Sequence, residues 1–183
     1  MDLRPALQIQ TVIKALTDVV LPAVDPHNKL AQEQAKLAIG MLHLVAQRQP
    51  LMYRYDLDEL TRFLALADTL RQQAESLPGA NDALHALMAS TEAGEEVLDR
   101  AQAEPSELED ANFDLREKIG ALITQVYSHS PTNKLKPISD AVNAHAKEQL
   151  LRERVWLVAQ GWEADPKSLP TLETLIGHGP GAR

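Results

Sequence analysis

The side chains best suited to chemistry fall in one short stretch, Arg48-Gln49-Pro50-Leu51-Met52-Tyr53-Arg54-Tyr55-Asp56-Leu57-Asp58. Guanidinium forks and phenolic hydroxyls suit recognition of a carboxylate or phosphate. A helix start at the same place would add amides of partial positive charge. Arg48, Tyr53, Arg54 and Tyr55 are therefore the candidate ligand-binding residues, for an anionic small molecule or an acidic partner segment. His43 joins them, because Lys36, Gly40 and Gln47 place it where the apolar and polar faces of its helix meet. The competing reading is structural: Tyr53 and Tyr55 lid the end of a bundle, and Arg54 pairs with a surface acid.

Other chemistries find few residues to carry them. There is no cysteine, which excludes disulfides, thiolate zinc sites and a cysteine nucleophile. None of the six histidines stands in an H-E-x-x-H array, and no Glu-x-x-His step of a di-metal bundle occurs. The nearest pairs, Asp82 with His85 and His145 with Glu148, read as surface contacts. No metal and no cofactor is expected, and no residue is assigned a catalytic role.

Two features point to association instead. Gly40 lies inside a helical stretch, where glycine costs about 1 kcal/mol against alanine, and close approach of another helix would justify it. Trp156 and Trp162, the only tryptophans, share a late helix with Arg152. Val155 and Val158 beside the tryptophans make core packing the first reading; the alternative is a subunit contact, where tryptophan and arginine are favoured at the centre. Gly40, Arg152, Trp156 and Trp162 are the candidate interface residues of a homodimer, or of a contact with another protein.

The elements that position these residues are helical. The 183-residue chain is 44% hydrophobic but only 4% aromatic, and leucine and alanine dominate, so an aliphatic core is expected. Ile9, Val12, Ile13, Leu16, Val19 and Val20 mark a first helix that Pro22 kinks or ends. Asp25-Pro26 reads as the start of a second, carrying Leu30, Leu37, Met41, Leu42 and Val45 and closed by Pro50. A capping box at Asp56 and Glu59 opens a third, ended by Pro78-Gly79, and Asn81 caps a fourth whose polar half, from Thr91, is either solvent-facing or a break. Pro105 and a second capping box at Ser106 to Glu109 open a fifth; Pro137 lies in the first turn of a long sixth, and a short last helix starts near Ser168. The expected fold is all-α, an antiparallel bundle of six or seven helices, with residues 1–176 in one domain and 177–183 as a tail.

Charge narrows the partners. A formal net charge of −8 works against binding a phosphate backbone, so nucleic acid is not an expected partner. From Glu92 to Asp114 nine acids face the single base Arg100, a run read as a solvated face. No uncharged apolar run approaches a membrane span, and the first residues lack the pattern of a secretory signal; the expectation is a cytoplasmic protein with no membrane contact.

The run Val20-Leu21-Pro22-Ala23-Val24 and the segment Ala38-Ile39-Gly40-Met41-Leu42-His43-Leu44-Val45 resemble a small all-helical bacterial family of unknown function. Its members accompany acyl-CoA dehydrogenases and aminoglycoside-phosphotransferase-like kinases. The chain departs from that family at Glu33-Gln34-Ala35-Lys36-Leu37, where the family carries Arg-Val-Ala-Ala-Asn. The resemblance implies an accessory role near acyl-CoA or aromatic catabolism and transfers no functional residue. The expected function is thus that of a non-catalytic helical interaction protein. The alternative is a binder or enzyme for an anionic, acyl-CoA-like or carboxylate, ligand in a bundle cleft.

Overall fold

The computed structural model describes residues 4–100 and 102–176, and among them every regular element is helical. The fold class is all-α. The chain forms two compact units: the chain up to Met52 with Trp156–Leu169, and Tyr53–Val155 with the described residues from Pro170. The tail expected over 177–183 lies outside the described residues.

In the first unit α1 (Pro5–Ala15) continues through a π-helical turn, Leu16–Val20, into a short α2 (Leu21–Ala23). Pro22 lacks the N–H a helix needs, and the wider turn just before it absorbs the mismatch, so the proline bends the helix without ending it there. The next helix, α3 (Lys29–Arg48), starts later than Asp25-Pro26 suggests. Asn28 is its cap, accepting from the Ala31 amide at 3.1 Å, while Asp25 accepts from the His27 amide at 2.9 Å within the preceding turn. Both residues can cap; the one whose side chain meets the first free helical amides sets the boundary. α3 packs on α1, and Gln32 ties it to the turn by donating to the Val24 carbonyl at 2.7 Å.

The second unit contains α4 (Met52–Ala74), α5 (Asn81–Asp99), α6 (Pro105–His129), α7 (Lys136–Leu157, to Val155 within this unit) and the short α8 (Leu172–Leu175). Its core is leucine-rich: Leu60, Leu70, Leu87, Leu108, Leu115 and Leu122 are wholly enclosed. The polar half of α5 is no break. It continues as helix because Gly94 faces inward, where a β-carbon would stand 3.2 to 3.4 Å from Leu64, Leu115 and Leu60. α5 and α6 run against each other along their length. Between α4 and α5 the chain turns at Gly79, whose φ of 75° is a left-handed conformation suited to glycine.

Three further caps differ from expectation. Asn81 is the first residue of α5 and Ala80 stands at its N-cap, with no side-chain capping bond. The box that opens α6 is made by Glu104 and Glu107, with the Glu104 amide donating to Glu107 at 2.9 Å. Asp56 caps nothing, because α4 already starts at Met52: the turn Gln49–Leu51 hands the chain from α3 into α4 without a break. The last helix begins at Leu172, after a separate turn at Pro166–Ser168.

Candidate functional site

The early start of α4 decides the fate of the Arg48 to Asp58 cluster. Tyr53, Arg54 and Tyr55 are helical and therefore fan out by about 100° each, so they do not converge on one anion. Tyr53 packs, half-buried, against the core of the second unit. Tyr55 is buried, and Arg54 is half-buried on the same turn. Arg48 belongs to the first unit, where its Nε donates to the Trp156 carbonyl at 3.0 Å, its Nη2 donates to the same oxygen, and its guanidinium lies 5.2 Å from the Trp156 ring centroid. The structure thus joins a ligand candidate to an interface candidate. His43 is exposed on α3, in the first unit.

Arg152, expected at a subunit contact, is instead enclosed in its own unit at 1% exposure. Its Nη1 donates to Gln149 at 2.8 Å, its Nη2 pairs with Asp58 at 3.0 Å, and its plane covers the Tyr55 ring at 4.3 Å. Asp58 also receives Arg62 Nε at 2.8 Å, and Arg62 reaches Glu148 at 2.8 Å and the Leu175 carbonyl at 3.1 Å. Beside this chain Glu59 accepts from Gln149 at 3.0 Å and from Arg116 at 3.3 Å. A network of alternating charges of this kind locks α4 to α6, α7 and α8. Its charged groups are spent on one another, which suits positioning better than ligand capture. The sequence carries a trace of it in the helical steps Asp58 to Arg62 and Gln149 to Arg152, but not the pairing between helices.

Burial shifts three groups nearby. Asp56 is pushed up to about 6, first by burial, then by the carboxylates of Glu59 and Glu109, against the pull of Arg152. Burial raises the Tyr55 phenol against the opposing effect of Arg152. Burial also lowers the His145 imidazole, with Glu148 opposing. His145 lies at a ring distance of 5.0 Å from Phe63, and among the described residues its enclosed Nε2 has no hydrogen-bond partner. Among the described residues no three His, Asp or Glu side chains gather closely enough to hold a metal ion.

The first unit is organised differently. Of its described hydrophobic side chains only Ile13 and Leu44 are fully buried. On α3 the residues Leu30, Leu37, Met41 and Val45 stand 71%, 54%, 52% and 48% exposed. Their steps of seven, four and four residues align them in a single stripe along the helix. From Leu37 to Gln47 the helix carries no Asp, Glu, Lys or Arg. Gly40 lies three residues after Leu37 on α3, and among the described residues a β-carbon there would find no atom within 4 Å beyond its own stretch of helix. Trp162 is 73% exposed in the same unit.

No protein-family model, no curated protein and no solved structure matches this chain. Among the described residues no helix is long and apolar enough to cross a membrane.

Proposed function

We propose that this is a non-catalytic helical interaction protein whose first unit associates with a second copy of itself through the exposed stripe of α3. The observation that carries the reading is the stripe: four large apolar side chains, aligned and exposed, on a helix that is uncharged from Leu37 to Gln47. These side chains are already partly covered, and burying the remainder would return about 1 kcal/mol each. A helical hairpin with so few enclosed side chains has little core of its own, and two hairpins paired face to face make the four-helix core that one lacks.

The chemistry favours a second copy over an unrelated partner. An uncharged apolar helix face is complementary to itself, and a two-fold axis brings its middle against the same residues without like-charge repulsion. Gly40 accounts for its own cost in this arrangement. No neighbour within the chain requires its lack of a side chain, whereas a helix of a second copy approaching beside Leu37 does. No observation favours the anion-binding alternative to the same degree, since the guanidinium groups of Arg48, Arg62 and Arg152 are engaged by carbonyls and carboxylates.

The absence of cysteine makes the test clean. Cysteines placed singly at positions 37, 41 and 45 are expected to join two copies when treated with a short bis-maleimide. One placed at exposed Lys147, in the second unit, is not. Linkage at position 147 alone, or at none of the positions, would mean that the stripe serves another occupant.

A further inference from the structure

A cleft of about 660 Å³ lies within the second unit, between α4 and α5. That size falls within the range of small-molecule sites. We propose that it binds an amphipathic organic cation, an ammonium or guanidinium group carried on a short apolar body.

The lining divides by chemistry. Ala67 and Leu87, both nearly fully buried, form an apolar base continuous with the core, and Met88, half exposed, offers a pliable thioether beside them. The polar side is dominated by carboxylates. Arg71, the only arginine or lysine in the lining, is held by Asp68 at 2.6 Å, so its charge is already met. Glu92 and Glu95 also face the cleft, and neither forms an ion pair among the described residues. They stand three residues apart on one helix, where side chains are neighbours and like charges repel. A cation placed between them relieves that repulsion while its apolar part covers Met88 and Leu87. An anion of the same shape meets the two carboxylates, with His85 the one further basic side chain in the lining. The site is independent of the α3 stripe, being in the other unit and on other residues.

The chain has four methionines, so a methyl-labelled sample gives a sparse spectrum in which Met88 is identified by Met88→Leu. Hexylammonium chloride, titrated into the full chain below its aggregation range, is expected to move the Met88 methyl signal saturably. Sodium hexanoate is expected to leave it in place. The double variant Glu92→Gln and Glu95→Gln should weaken the ammonium response by about tenfold, with an unchanged helical spectrum, since both residues are exposed. No saturable shift with hexylammonium, an equal shift with hexanoate, or an ammonium response undiminished in the folded double variant would each overturn the proposal. The comparison of the two probes uses the unaltered protein and so stands without the variant. The Met41 methyl, on the α3 stripe, reports separately on association, so failure of one proposal is readable apart from failure of the other.

Discussion

Around position 152 a full positive charge is held almost out of solvent by Gln149, Asp58 and the Tyr55 carbonyl, 3.4 Å from Nη2. Removing one partner from such an arrangement leaves a carboxylate short of its cation. Arg152→Met is therefore expected to cost about 3 kcal/mol, read from urea unfolding, even though methionine fills much of the space. Asp56, three residues before Glu59 on α4, behaves in the opposite sense. Its folded value of about 6 lies above the ordinary 3.8, so the fold holds this proton more tightly than the unfolded chain does. That contribution is present at low pH and is lost as pH rises through about 6. Asp56→Asn should accordingly raise the melting temperature near neutral pH and bring no gain below about pH 4. A thermal-melt series across that range checks the sign. Little of this was legible in the sequence: Arg152 with Trp156 reads as part of a subunit contact, because the acid that pairs with it, Asp58, lies some ninety residues away in the chain.

Helices were the most legible level, since apolar spacing records which face is buried whatever the partner. Their ends were less so. Asp25-Pro26 and Asp56 to Glu59 both carry start signals, yet α3 begins at Lys29 and α4 at Met52, because neighbouring turns supplied the geometry first. That shift of α4 is what disperses Tyr53, Arg54 and Tyr55. Two glycines make the element scale testable in opposite directions. At Gly79, φ is 75° and a β-carbon would fall 2.7 Å from the His129 ring, so Gly79→Ala is expected to destabilise the protein by about 1 to 3 kcal/mol. At Gly40, in the middle of α3 with open space around it, alanine restores helix propensity, and Gly40→Ala should stabilise the separated chain by about 1 kcal/mol. Denaturant melts of the two variants at low protein concentration distinguish these signs.

Across the molecule, enclosed and exposed apolar residues are unevenly shared. The second unit encloses most of its leucines, Leu150 being left 58% exposed, whereas the first leaves Leu30, Leu37, Met41 and Val45 in solvent. The sequence reading placed these four on the buried face of their helix, and periodicity alone cannot tell a face buried within the chain from one left for a partner. The open surroundings of Gly40 add to the pattern, since no described side chain presses on it. The account therefore rests on association through α3, and light scattering of the purified chain beside Leu37→Glu tests it most directly. At micromolar concentration the unaltered protein is expected at twice the 20.2 kDa chain mass, and Leu37→Glu at the single mass with its helical spectrum intact. A single mass for the unaltered protein, or a doubled mass that Leu37→Glu leaves in place, would contradict it.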